Sequence, residues 1–64
     1  MEVKKILEME LDKLEEEIEY LRNKIALLKP IAEEDEEAKL DLIGSQILLN
    51  LYEQDRRKIA SMLA

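Results

Sequence analysis

Residues 7–28 read LEMELDKLEEEIEYLRNKIALL. In this stretch an apolar residue returns after four and then three residues without a break, at Leu7, Leu11, Leu14, Ile18, Leu21, Ile25 and Leu28. The spacing places Leu or Ile at every a and d position of a heptad repeat, which is the pattern of a helix that packs lengthwise against another helix. We therefore predict that this seam is the surface around which the rest of the chain is arranged.

The composition also favours an all-helical chain. The 64 residues are 47% hydrophobic and 41% charged, with one Gly and one Pro, which is typical of long helices and coiled coils. Val3 is the only Val and there is no Thr, so strands have little support. A chain of this length forms at most one domain, which we place over residues 1–64.

The chain divides at Pro30. Proline has no N–H and disfavours helical geometry at the preceding Lys29, so we predict a first helix from about residue 2 to 29. A connection over about residues 30–35 follows. Asp35 is suited to be the N-cap of a second helix over about residues 36–62.

This short connection predicts an all-α fold, an antiparallel two-helix hairpin of coiled-coil type, because neighbouring helices joined by few residues fold back on each other. So short a chain buries little core alone, and we expect two copies to dimerise into a four-helix bundle. The alternative is one long coiled coil with a kink at Pro30, which would be rod-like in solution.

The second helix is apolar on two faces. The wider face is expected to pack against the first helix and consists of Leu40, Ile47, Leu48, Leu51, Ile59 and Met62. In that arrangement Leu40 lies near Ile25, Ile47 near Ile18 and Leu51 near Leu14. Leu42 and Leu49 lie on the opposite face, and we predict that they form an outer surface for a partner chain.

Gly44 lies inside this second helix, where it costs about 1 kcal/mol relative to Ala. With the neighbouring Ser45 it would let another helix approach closely. A second partner surface on this helix is therefore expected.

The sequence lacks the usual parts of an active site. There is no His and no Cys, and Ser45 and Ser61 have no neighbouring base. No glycine-rich phosphate loop is present either. The acidic runs Glu15–Glu17 and Glu33–Glu37 lack the glycine turn of a calcium loop and are interpreted as solvated segments. We predict that the protein is not an enzyme and holds no cofactor or metal.

Charge and hydropathy restrict the partners. The formal net charge is −6, which disfavours general binding to nucleic acid. Arg56, Arg57 and Lys58 form the one basic cluster and are a candidate contact for nucleic acid or an acidic partner, although cations late in a helix also complement its dipole. The N-terminus lacks the apolar core of a signal peptide, and no apolar run is long enough to cross a bilayer. We expect a cytoplasmic protein with no membrane contact.

The C-terminal stretch from Leu51 to Ala64 resembles the α-helical domain of archaeal and eukaryotic GINS subunits. In that family a pattern like Leu-Tyr-Glu-x-Arg-x-Arg-Lys-Ile, followed by a small apolar tail, comes after a long charged helix and an acidic connection. The matching residues are Leu51, Tyr52, Glu53, Arg57, Lys58 and Ile59, while Asp55 stands where the family often has Arg. The resemblance implies a scaffold subunit of a DNA replication complex, represented here without the family's small β domain.

The sequence thus predicts a non-catalytic protein–protein interaction or scaffold module that self-associates, most simply as a homodimer, or docks in a larger helical complex. The alternative is a small dimeric helical bundle that binds nucleic acid through Arg56, Arg57 and Lys58.

Overall fold

The computed structural model describes residues 2–64, which form two α-helices, α1 (Val3–Ala32) and α2 (Glu36–Leu63). A helix of about 30 residues is about 45 Å long, since each residue adds about 1.5 Å. The whole molecule measures 49 × 15 × 14 Å. The two helices therefore lie side by side, and the short connection makes them antiparallel. The all-helical fold is confirmed, and the arrangement agrees with the predicted hairpin.

The first helix extends further than the sequence predicts. It runs through Pro30 and ends at Ala32, whereas we expected it to stop at about Lys29. Pro30 lies in the last turn, so its missing N–H removes a single hydrogen bond close to the end of the helix. Beyond it, the backbone N–H groups of Glu34 and Asp35 both donate to the carbonyl of Ile31, at 3.1 Å each, and close the turn.

The second helix begins where predicted, with Asp35 as its N-cap. The Asp35 backbone is extended, and its Oδ1 accepts hydrogen bonds from the backbone N–H groups of Glu37 at 2.9 Å and Ala38 at 3.3 Å. These bonds satisfy donors that have no partner within the helix. Glu36 and Glu37 in the first turn also complement the positive end of the helix dipole.

The contact between the helices follows the same spacing in both. Apart from Lys24 and Glu53 on the flanks, the buried and half-buried positions step alternately by four and three residues away from the connection. They are Ala32, Leu28, Ile25, Leu21, Ile18, Leu14, Leu11 and Leu7 in α1 and Ala38, Leu42, Ser45, Leu49, Tyr52, Arg56, Ile59 and Leu63 in α2. In antiparallel helices these two series meet layer by layer. We call them the inner seam.

Near the connection, the inner seam of α2 consists partly of small residues. Ala32 and Ala38 form its first layer, and Ile25 and Ser45 lie at one level two layers further on. Ile25 is 8% exposed and Ser45 only 3%. Small residues on α2 at these levels let the helices approach closely, and the bulk is supplied by Ile18, Leu21 and Ile25 of α1.

The prediction for the faces of α2 is wrong within this hairpin. Leu42 and Leu49, predicted to point outward, are half-buried in the inner seam. The predicted inner residues are exposed instead, namely Leu40, Ile47, Leu48, Leu51 and Met62, and only Ile59 is half-buried. The three predicted contacts with α1, made by Leu40, Ile47 and Leu51, are therefore absent from the described hairpin.

The physical reason is the full length of the contact. The face containing Leu40 meets Gly44, Gln54 and Lys58 as it continues along α2, so it would bury few apolar groups against α1. The face containing Leu42 continues through Tyr52, Ile59 and Leu63 and buries apolar groups over the whole hairpin.

Candidate protein interaction surface

One side of α2 carries a strip of exposed apolar residues that we call the outer strip, formed by Leu40, Gly44, Ile47, Leu48 and Leu51. The exposed fractions of its four large side chains are 65% for Leu40, 58% for Ile47, 43% for Leu48 and 50% for Leu51. Soluble proteins usually expose single apolar residues rather than a contiguous row, and such rows mark sites of interaction.

The outer strip follows from the helical repeat. Leu40, Gly44, Ile47 and Leu51 step by four, three and four residues, so at about 100° per residue they stay on one side of α2. The inner-seam residues Leu42 and Leu49 lie on the other side. The strip is thus a second heptad seam on the same helix, left uncovered by the hairpin.

The surface continues onto α1 across one flank of the hairpin. An ion pair between Lys24 and Asp41, with Nζ and Oδ1 3.0 Å apart, marks this flank on both helices. Leu48 lies on the Asp41 side of α2, two turns further along. Exposed Tyr20, Leu27 and Ile31 repeat around Lys24 at helical spacing on α1. The half of the hairpin near the connection therefore presents a broad apolar flank with an ion pair at its centre.

The Lys24–Asp41 ion pair also changes the pKa of the lysine. The hydrogen bond from Lys24 to the Asp41 carboxylate raises the pKa of Lys24 above 10.5, an effect that partial desolvation opposes. The cation therefore stays charged throughout the physiological range and is neutralised within the hairpin, which lowers the cost of covering this flank.

The other flank is polar. It is marked by a second ion pair, between Arg22 Nη2 and Glu53 Oε2 at 3.0 Å. The α2 residues at helical spacing around Glu53 are Gln46, Asn50 and Arg57, all exposed, and the same line reaches one exposed apolar residue, Ile43, towards the connection. This flank is therefore mostly polar, and the outer strip, with the apolar flank beside it, is the candidate interaction surface.

The basic cluster is divided by the fold. Arg56 occupies a half-buried position in the inner seam, at the level of Leu14. Arg57 lies on the polar flank, and Lys58 continues the line of the outer strip beyond Leu51. Three consecutive helical residues point in three directions here, so they do not form one continuous patch for a phosphate backbone.

The residues that resemble the GINS motif are divided in the same way. Tyr52 and Ile59 are half-buried in the inner seam and Glu53 is half-buried on the polar flank, whereas Leu51, Arg57 and Lys58 are exposed. The motif therefore spans both the inner seam and the outer strip.

Other chemistry has little support in residues 2–64. No group of three or more acidic side chains in this range is placed to hold a metal ion. An open groove of about 260 Å³ beside the inner seam is lined by Glu10, Lys13, Leu14, Glu17 and Tyr52. Its charged side chains form a solvated rim over Leu14 rather than a set of nucleophile and base. Within the same range neither helix has an apolar stretch of the length needed to span a bilayer.

Comparison with known protein families, with curated proteins and with solved structures finds no match for this chain.

The sequence indicates which face of α2 is the outer strip, but helical spacing over residues 40–51 alone does not. Both apolar faces of α2 satisfy helical spacing between residues 40 and 51. Extending each spacing to the end of the helix distinguishes them, since the inner seam continues through Tyr52, Ile59 and Leu63, whereas the line of the outer strip continues through Gln54 and Lys58.

Proposed function

We propose that this protein is a non-catalytic protein–protein interaction module that binds a helical surface of another chain through its outer strip. The observation that supports this proposal is the row Leu40, Ile47, Leu48 and Leu51, four large apolar side chains that are exposed together on one side of α2. A helix with apolar anchors at this spacing is a common way for proteins to recognise a partner helix.

Energetics agree with a role in association. Buried apolar residues in the described hairpin are few: Ile18, Leu21, Ile25, Ala32 and Ala38. Small domains with so little core are commonly stabilised by association, since binding favours the folded state. Covering each large side chain of the outer strip contributes about 1 kcal/mol, because each is already partly buried.

The charge distribution favours protein over nucleic acid as the partner. The net charge is −6, and the one basic cluster is divided between three directions. A phosphate backbone needs several cations on one surface, and its binding weakens steeply with salt. Membership of a replication complex, which the resemblance to GINS subunits implies, stays a prediction.

Photo-crosslinking in cells of the source organism tests the proposal. A photo-reactive amino acid at Ile47, in the outer strip, is compared with the same group at Gln46, its exposed neighbour towards the polar flank. We expect protein adducts from position 47, identified by mass spectrometry of the crosslinked peptides, and few from position 46. Equal yields at the two positions, or none at either, would contradict the proposal.

A further inference from the structure

We infer that the outer strip is covered by the outer strip of a second copy of this chain, with the two α2 helices antiparallel and a twofold axis between Gly44 and Ile47. This inference rests on the proposed function and names the partner of the same surface. Three features of the described residues support it: a self-complementary order of side chains, a charge pattern that selects the orientation, and a glycine that the hairpin does not need.

The order of residues in the outer strip is self-complementary. In an antiparallel pair centred between Gly44 and Ile47, Leu40 of one copy lies at the level of Leu51 of the other. Gly44 lies at the level of Ile47, so the largest gap in one strip faces a branched side chain of the other. A twofold dimer uses the same patch on both subunits, so each of these pairings occurs twice.

Charge selects the antiparallel orientation. The acidic residues Glu33–Glu37 precede Leu40, and the exposed cation Lys58 follows Leu51 on the line of the strip. An antiparallel pair brings the acidic end of each strip beside the basic end of the other. A parallel pair would place like charges together at both ends, which opposes association.

Gly44 has no function within the hairpin itself. A Cβ built at this position has no other atom within 4 Å, and its φ is negative, so any residue would fit. Glycine inside a helix costs about 1 kcal/mol relative to alanine. A glycine retained in the middle of an exposed apolar seam is explained if a helix outside this chain approaches closely there.

The dimer that results is a four-helix bundle in outline. The two α2 helices form its centre, and each keeps its own α1 on the inner-seam side.

Disulfide trapping in the purified protein tests the orientation, since the natural chain has no cysteine. Leu40→Cys and Leu51→Cys proteins of different tag length are mixed and oxidised. We expect the mixed Leu40–Leu51 disulfide, and little crosslinking of either variant to itself, because position 40 of one copy is about 16 Å from position 40 of the other along the helix. The matched control is the pair Lys39→Cys and Asn50→Cys, at similar levels but on the polar flank, which should not crosslink.

Sedimentation equilibrium over a dilution series measures the affinity. We expect a monomer–dimer equilibrium, weakened about tenfold or more by Gly44→Leu, which holds the helices apart. Asn50→Leu adds the same side chain on the polar flank and should leave the equilibrium unchanged. Circular dichroism shows whether each variant remains a folded hairpin.

Two results would overturn the inference. One is a disulfide between two Leu40→Cys chains without the mixed product, which indicates a parallel pair. The other is a monomer at all concentrations with no mixed disulfide. If photo-crosslinking at Ile47 then identifies a different protein, the interaction module stands and only the second copy is excluded as its partner. If it identifies none, both proposals fail.

Discussion

Lys24 of α1 and Asp41 of α2 form an ion pair across the hairpin, with Nζ and Oδ1 3.0 Å apart. The side chains are 34% and 49% exposed, so the pair lies at the surface of the flank that also carries Leu48 and Tyr20. Arg22 and Glu53 form a second ion pair across the opposite flank.

This ion pair predicts a dependence of stability on alkaline pH. The pKa of Lys24 is raised in the folded state above 10.5, first by its hydrogen bond to Asp41. A raised lysine pKa contributes stability that is fully present below the unfolded value and is lost as pH rises through the folded value. We therefore expect the free energy of unfolding to fall above about pH 10.5 more in the natural protein than in Lys24→Met.

Urea unfolding at a series of pH values, followed by circular dichroism, measures this difference. Asp41→Asn removes the other member of the pair and should behave as Lys24→Met does. Identical pH profiles for the natural protein and both variants would show that the ion pair adds nothing to stability.

The assignment of the inner seam predicts a contrast between two leucines of α2. Leu49 is half-buried against α1, whereas Leu40 is 65% exposed. Leu49→Ala should lower the free energy of unfolding by about 2 kcal/mol, since it removes packing along the hairpin. Leu40→Ala should change it by less than about 0.5 kcal/mol at the lowest protein concentration, where association does not contribute.

Thermal unfolding of both variants, monitored by circular dichroism at matched low concentration, checks this contrast. If Leu40→Ala were the more destabilising substitution, the assignment of the inner and outer faces of α2 would be wrong. At high protein concentration the difference in stability between the two variants should become smaller, because Leu40 belongs to the outer strip and contributes to association.

Much of this fold is readable from the sequence, and the reasons are local. The seam from Leu7 to Leu28 has no competitor on α1, because its other positions are mostly charged. Asp35 marks the start of α2 by its capping chemistry alone. Neither inference requires knowledge of distant contacts.

The face of α2 that meets α1 was not readable in the same way. Leu40, Leu42, Ile47 and Leu49 satisfy helical spacing on two faces, and the choice depends on what each face meets over the whole hairpin. The end of α1 was misplaced for a different reason. A proline near the C-terminus of a helix removes only one hydrogen bond, so α1 continues through Pro30 to Ala32.

The burial of Ser45 in the inner seam predicts an effect of side-chain size at this position. This residue is 3% exposed and lies at the level of Ile25, which is also buried. Ser45→Leu should therefore overpack the inner seam and lower the free energy of unfolding by about 1–3 kcal/mol. Ser45→Ala keeps the small volume and should be tolerated.

The matched control is Ser61→Leu, which adds the same side chain at an exposed position of the same helix. Chemical unfolding of the three variants gives the comparison. Equal stability of Ser45→Leu and Ser61→Leu would mean that the helices are further apart at this level than the burial of Ser45 indicates.

Arg56 is the one charged residue of the inner seam on α2, and it predicts a stabilising substitution. It is half-buried at the level of Leu14, and arginine side chains at such positions generally pack through their aliphatic part and keep the guanidinium in water. Arg56→Leu should raise the free energy of unfolding by about 1 kcal/mol, because it completes the apolar seam between Tyr52 and Ile59. Arg57→Leu removes the same charge one residue later, on the polar flank, and should bring no such gain. Urea titrations of the two variants distinguish burial from charge, since both lose one cation and only position 56 faces α1. If Arg56→Leu lowered the free energy of unfolding, the guanidinium group, and not only the aliphatic part of Arg56, would stabilise the hairpin.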